Sequence, residues 1–264
     1  MNYEKFIEKR LKVVNKEGET VQFILNPIQK RFLSEMTNRS CILKARQQGF
    51  SSLILGMFTA DFLLTENSLN VVVADNSDNA IALLDRVKFY IRAYEELKAT
   101  KIPLKYNSKY ELYNEANNSR YSIGTAENTE FGRSRTIFNL HMSEAAFYQH
   151  FEQMKAGAMQ AVVPNGKIIV ETTANGFNEF RGFWEESKQE KTGFKPLFFK
   201  ASDFYSPEFL EQKKKELGRL YKQEYPETDT EAFLTSGDNF FDTESLQWYL
   251  SQSREPSTND LIYA

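Results

Sequence analysis

Apolar positions along the chain follow two rhythms. Short continuous apolar runs at 41–43, 69–75, 136–142, 166–171 and 194–200 suit strands buried on both faces of a parallel sheet. Between them, apolar residues recur at helical spacing. Leu53 to Ala60 forms one such stretch, and Ile81, Leu84, Val87, Ile91 and Tyr94 mark a long helix over 78–97. Residues 147–163 and 178–190 read as two more. Strand and helix thus alternate from 40 to 200, which predicts an α/β fold with a mostly parallel central sheet and helices on both faces.

The flanks read differently. Tyr3, Phe6, Ile7 and Leu11 share a face, so 1–22 reads as an amphipathic helix followed by a turn at Lys16-Glu17-Gly18. Asn26-Pro27 starts a second helix with proline in its first turn. Residues 110–125 alternate around Asn117-Asn118 as a hairpin. From Ser206 the pattern is helical only. Leu210, Leu217, Leu220 and Tyr221 mark one face and Lys213-Lys214-Lys215 another, with a break at Pro226 and the acidic Glu227-Thr228-Asp229. The expected division is a core over 1–204, a small helical subdomain over 205–250 and a linker-like tail over 251–264.

Composition changes this picture little. The 264 residues can bury a substantial core, and 41% hydrophobic with 26% charged residues is ordinary for a globular chain. Net charge is −3, so any surface for nucleic acid must be local. Cys41 is the single cysteine; it excludes an internal disulfide and a cysteine-only zinc site, and its strand position predicts a buried small hydrophobe. His141 and His150 are the only histidines, and neither is assigned a metal. Trp184 and Trp248 read as packing aromatics. No run approaches the ~18 apolar residues of a membrane span, and the N-terminus has no signal-peptide pattern.

The chemistry concentrates in Lys44-Ala45-Arg46-Gln47-Gln48-Gly49-Phe50-Ser51-Ser52, between the first core strand and its helix. A strand feeding a helix through such a loop aims free backbone N–H groups and the helix's positive end at one point, where a phosphate binds. The usual phosphate loop reads G-x-x-x-x-G-K-[ST]. Here Gly49 and Ser51 hold the second glycine and the hydroxyl, Phe50 replaces the lysine, and Lys44 stands at the first glycine. The cation is therefore kept, at the loop's other end.

Ligands of open parallel sheets bind at the carboxyl ends of the strands. A second strand end carries Leu140-His141-Met142-Ser143-Glu144. Nucleotide hydrolases need an acid there for Mg²⁺ and a carboxylate to orient the attacking water. Ser143 takes the usual Asp position, leaving Glu144 as the catalytic candidate; a helix-starting acid is the plainer reading. A third strand end, Glu171-Thr172-Thr173-Ala174-Asn175-Gly176, offers hydroxyls that could sense a γ-phosphate, or simply a polar turn with a cap at Asn175. Gln29, ahead of the loop, has an amide suited to the edge of adenine or merely to solvent.

With these four elements in this order, the sequence resembles the ATPase domain of the large terminase subunit of tailed phages, the motor that packages DNA into a procapsid. The resemblance runs from about residue 20 to 245. It rests on Asn-Pro-Ile-Gln (26–29), the loop from Lys44 to Ser52, His-Met-Ser-Glu-Ala-Ala-Phe (141–147), Glu-Thr-Thr-Ala-Asn-Gly (171–176) and the closing segment 225–237. Some members share the early lysine and the Ser-Glu pair.

The resemblance implies a P-loop NTPase core with 205–250 as a C-terminal helical lid, and ATP and Mg²⁺ as ligands. Gln29 would contact adenine, and Lys44 the β/γ-phosphates. Arg46, Gln47, Gln48, Gly49, Phe50, Ser51 and Ser52 would form the rest of the ATP site. The Ser51 hydroxyl would meet Mg²⁺, with water and Ser143 as further ligand candidates. Glu144 would polarise water, and Thr172-Thr173 would couple hydrolysis to movement. A transition-state arginine, often from a neighbouring subunit, would be Arg133, with Arg135 second and Arg46 a third candidate in cis. Implied partners are double-stranded DNA, the portal protein, the small terminase subunit and further copies in a ring, in the host cytoplasm and without a membrane. The RNase-H-like nuclease usual in the family has no acidic cluster here beyond Asp260, so an isolated motor domain without nuclease activity is expected. Two other readings remain: another DNA translocase or helicase-type ATPase, and a nucleotide-binding assembly subunit that does not hydrolyse, which Phe50 and Ser143 would suit.

Overall fold

A computed structural model describes residues 1–128, 135–234 and 243–253. The chain begins with α1 (Tyr3–Arg10), then a small antiparallel pair, β1 (Lys12–Val14) and β2 (Thr20–Gln22), followed by α2 (Pro27–Glu35). The core continues through β3 (Arg39–Lys44), α3 (Phe50–Leu64), β4 (Leu69–Ala74), α4 (Ser77–Lys98), β5 (Leu104–Asn107), β6 (Glu111–Asn114) and β7 (Ser119–Thr125). Next come β8 (Ile137–Ser143), α5 (Phe151–Ala158), β9 (Val162–Thr172), α6 (Glu179–Lys188) and β10 (Lys195–Phe199). Helices α7 (Pro207–Leu217), α8 (Tyr221–Glu224), α9 (Asp229–Leu234) and α10 (Thr243–Gln252) close the described chain.

Eight strands form one sheet in the order β10-β3-β9-β8-β4-β7-β6-β5. The six from β10 to β7 are parallel; β6 and β5 add an antiparallel margin. Alternation along the strands divides the core. Ile42, Val72 and Ile169 pack towards α1 to α4, whereas Cys41, Leu43, Val71, Val73, Ile168 and Val170 pack towards α5 and α6. Both faces are therefore covered, as continuous apolar strands require. Helix α3 is buried around most of its surface, with Leu53, Ile54, Met57, Phe58 and Phe62 among its buried side chains. At Gly56 a Cβ would stand 3.3 Å from Ile7 and Leu11, so the missing side chain lets α1 approach closely.

Four local expectations are corrected. Residues 12–22 form a hairpin rather than helix, because Val13 and Val21 pair across the Asn15–Gly18 turn. The helix expected over 147–163 ends at Ala158, and β9 starts at Val162 and runs through Pro164 and Gly166. A Cβ on Gly166 would stand 1.9 Å from the Phe138 carbonyl oxygen, so β9 passes β8 there only as glycine. Asn178, not Asn175, caps α6, accepting from the Arg181 N–H at 3.1 Å. Trp184 is buried as expected, but Trp248 is 59% exposed.

The helical segment after β10 rests directly on the core. Tyr205, Leu210 and Tyr225 cluster with Ala45 at the start of the phosphate loop, and Phe233 of α9 joins the core beside Phe180.

Candidate active site

Strand parity explains which side chains meet. Lys44 shares the face of Ile42, Glu171 that of Ile169, and Ser143 that of His141, so all project towards the N-terminus of α3 from adjacent strand ends. The register sets Ser143 directly beside Glu171. Lys44 Nζ lies 2.9 Å from Glu144 Oε1 and 3.2 Å from Glu171 Oε2. Glu171 Oε1 accepts from Ser51 Oγ and Ser143 Oγ, each at 2.7 Å, and lies 3.3 Å from His141 Nε2. Glu171 is fully buried, whereas Glu144 is 38% exposed at the mouth.

The charges hold one another. Burial alone would lower the pKa of Lys44, but Glu144 and Glu171 outweigh it and keep the ammonium protonated well above the usual lysine range. Burial works equally to raise that of Glu171. The Lys44 charge and hydrogen bonds from His141 and Ser143 prevail and hold the carboxyl below the usual carboxylate range. One ammonium against two carboxylates leaves an excess negative charge among oxygen donors.

That donor set suits a hard divalent cation, which binds oxygen and retains several waters rather than demanding a full protein cage. Among the described residues there is no cluster of three or more His, Cys, Asp or Glu side chains arranged to hold a metal. Ser51 and Ser143 are the hydroxyls placed to serve, with Glu171 behind both.

The loop itself is braced from below. Gly49 has φ +83° and is the N-cap of α3; Gln47 is also left-handed at φ 58°. The first N–H groups of α3 have no intrahelical acceptor and open onto the same point as Lys44. Gln29 is buried; its Oε1 accepts from the Asn26 N–H at 3.0 Å and its Nε2 donates to the Gly49 carbonyl at 2.8 Å. Both ends of the amide thus hold loop and helix together. The ring of Phe50 is buried against Phe32 and Phe199, which leaves its backbone as the part that faces the cleft. Gln48 is buried and donates to the Lys200 carbonyl at 2.9 Å.

The cleft above the loop has a volume of about 410 Å³ and is lined by Lys44, Gln47, Gly49, Ser51, Ser52, Arg86 and Glu144, among others. A larger cleft of about 690 Å³ lies by Arg39, Lys155 and Phe194, at the opposite ends of the strands. We assign the site to the smaller one, where strand carboxyl ends and a helix N-terminus converge.

The third strand end joins the same network. Glu144 sits in left-handed backbone (φ 54°), and its Oε2 accepts from the Thr173 N–H at 3.1 Å. The Thr172 hydroxyl donates to the Thr173 carbonyl at 2.6 Å, accepts from the Ala146 N–H at 3.1 Å and lies 3.5 Å from Glu144.

The arginines separate. Arg133 lies outside the described residues. Arg135 is exposed just ahead of β8, separated from Glu144 by the whole strand, roughly 20 Å long by strand rise. Arg46 pairs with Glu224 at 3.3 Å, and its N–H donates to the Glu224 carbonyl at 2.9 Å.

Two site residues are not evident in the sequence. Glu171 ends an apolar run and is overshadowed there by the threonines after it. Arg86 projects from α4 into the cleft and donates to Ser52 Oγ at 3.2 Å; nothing in local sequence marks it.

No protein-family model matches the chain. Among solved structures, it is similar to the large terminase ATPase domain of Thermus phage P74-26, at 17% identity and TM-score 0.61, covering 76% of this chain and 92% of that one. It is similar to the large terminase of bacteriophage HK97, at 17% identity and TM-score 0.64, covering 82% of this chain and 51% of that one. It is also similar to the large terminase of a thermophilic bacteriophage in complex with ATP-gamma-S, at 15% identity and TM-score 0.50, covering 72% and 47% respectively. The chain thus has the fold of large terminase ATPase domains and spans about half of the two longer terminases.

Proposed function

We propose that this chain is an ATP-hydrolysing motor domain of the large terminase type, which drives double-stranded DNA into a procapsid. The observation that carries the reading is Lys44, held between Glu144 and Glu171 at the point faced by the N-terminus of α3. The likeness in fold supports it, as does the ATP-gamma-S bound by the terminase of the thermophilic phage.

In this reading Lys44 and the first N–H groups of α3 bind the β- and γ-phosphates. Glu144, the most exposed acid of the cluster, orients the attacking water and takes up its proton. Ser51, with Ser143 beside it, would hold Mg²⁺, which supplies charge neutralisation on the phosphate oxygens. Thr172 and Thr173 link Glu144 to the end of β9, a route from chemistry to movement. Residues 205–250 act as the lid; their grip on the loop at Arg46 would carry such movement outward. Arg133 is proposed as the arginine supplied to a neighbouring copy in a ring, with Arg135, far from its own cleft, as the second candidate. The partners proposed are DNA, the portal protein and the small terminase subunit, in the host cytoplasm.

The test is ATP turnover by the purified chain across a protein concentration series, beside Lys44→Ala and Glu144→Ala. Mg²⁺-dependent turnover rising more than linearly with concentration, and reduced about 10²-fold or more in both variants, is expected. Wild-type turnover no greater than that of Glu144→Ala at every concentration would remove the hydrolase reading.

A further inference from the structure

Ser143 stands where a nucleotide hydrolase of this topology carries an aspartate, and a serine hydroxyl cannot supply that charge. The cross-strand neighbour of Ser143 is Glu171, at the last paired position of β9. Adjacent strands are about 4.8 Å apart, and a glutamate is one methylene longer than an aspartate. The carboxylate of Glu171 borders the space next to Ser143, with Oε1 at 2.7 Å from Ser143 Oγ. Its reach is visible in its contacts: Oε1 gathers the hydroxyls of Ser51 and Ser143 at 2.7 Å each, with His141 Nε2 at 3.3 Å.

We propose that Glu171 is the metal-positioning carboxylate of this site, replacing from β9 the aspartate missing at position 143 of β8. The assignment rests on the nucleotide-hydrolysing reading above. A carboxylate serving only to neutralise Lys44 would need no grip on Ser51, the hydroxyl expected to face the metal, and Lys44 already has Glu144 at 2.9 Å. Glu171 instead binds Ser51, Ser143 and Lys44 together, so it fixes the helix start, the neighbouring strand and the cation in one geometry. By polarising the Ser51 and Ser143 hydroxyls it turns their lone pairs outward, and it places a full negative charge behind them. Glu171 is thus a positioning residue; Glu144 remains the one that meets water.

The experiment measures equilibrium binding of fluorescent ATP-gamma-S to the full chain, in EDTA and across a Mg²⁺ titration, for wild type, Glu171→Gln and Ser143→Asp/Glu171→Gln. The expected result is that Glu171→Gln loses about 10–100-fold in apparent Mg²⁺ affinity, a loss larger than any fall in its ATP-gamma-S affinity in EDTA. The double variant, with its carboxylate returned to β8, regains it. A purely structural Glu171 would lower binding in EDTA and in Mg²⁺ alike. Unchanged Mg²⁺ affinity in Glu171→Gln, or parallel losses in both buffers, overturns the assignment and leaves the ATPase reading standing. Wild type that binds no ATP-gamma-S in either buffer overturns both. Should Glu171→Gln not fold, the double variant decides: wild-type Mg²⁺ affinity supports the transfer of role between strands, and its loss overturns it.

Discussion

The backbone N–H of Thr173 donates to Oε2 of Glu144 at 3.1 Å, across the gap between the ends of β8 and β9. The proposed water-orienting carboxylate is therefore tied to the strand that follows it in the sheet. Thr172 completes the tie by accepting the Ala146 N–H just after Glu144. Thr172→Val leaves that buried N–H without an acceptor. It should lower stability by about 1–3 kcal/mol in denaturant titrations. It should also reduce kcat for ATP with little change in KM, since no phosphate contact is removed.

Arg86 and Arg46 flank the loop in different ways. Arg86 reaches Ser52 from inside the cleft, while Arg46 is engaged with Glu224. An Arg86→Ala variant should keep the fold and bind ATP-gamma-S, yet lose about 10²-fold in single-turnover hydrolysis. Arg46→Ala should act first on the docking of α8, read as a lower melting temperature with smaller change in that rate. Equal rates in Arg86→Ala and wild type would remove Arg86 from the chemistry.

Gly49 and Gln29 form one unit. A Cβ at Gly49 would stand 2.8 Å from Gln29 Nε2, in backbone at φ +83°. Gly49→Ala should destabilise by about 1–2 kcal/mol from the left-handed backbone alone, with more from the collision. In a Gln29→Ala background the collision vanishes and the cost of Gly49→Ala should shrink. A double-mutant cycle by denaturation measures the difference, and additive costs would refute the coupling.

Asp229 supplies a pH signature away from the site. It accepts from Trp184 Nε1 at 3.0 Å and Lys188 Nζ at 2.8 Å. Burial would raise its pKa, but these two hydrogen bonds and the Lys188 charge prevail and lower it. A depressed folded-state value means the contribution is present above the unfolded aspartate value of about 3.9 and lost as pH falls through the folded value. Thermal melts between about pH 6 and pH 3 should therefore show wild type losing more stability than Asp229→Asn. Parallel acid limbs would contradict the pairing.

Much of the fold was legible because its strands are buried on both faces. Val71-Val72-Val73 or Ile168-Ile169-Val170 can hardly be anything but central parallel strands, and the ends of such runs in β3, β8 and β9 locate Lys44, Ser143 and Thr172. The hairpin at 12–22 was hidden because Leu11 and Val14 continue a helical face, while the turn chemistry of Asn15–Gly18 argues otherwise. The start of β9 was hidden by Pro164 and Gly166, which fall in the irregular stretch between the Ile137–Val162 and Asn139–Lys167 pairs, where the regular ladder is interrupted. Among site residues, Lys44, Ser51 and Glu144 come from linear spacing. Glu171 needs strand register: nothing in one dimension says that it sits beside Ser143. Its one signal was a carboxylate closing a run of buried aliphatics, a placement that requires a charged partner. Gln29 and Phe50 stood at expected positions, yet packing turned their side chains towards the loop and the core.

The burial of Phe50 has a consequence for how this loop could be rebuilt. The first residue of α3 is a wall of the core, against Phe32 and Phe199. Installing the usual lysine there would drive an ammonium into an aromatic stack and leave a void where a ring had been. Deleting Lys44 instead would strand two carboxylates without their cation. In this chain the early lysine, the buried ring and the paired acids thus form one interdependent architecture. Passage to the usual loop demands that cation, aromatic plug and supporting acids change together.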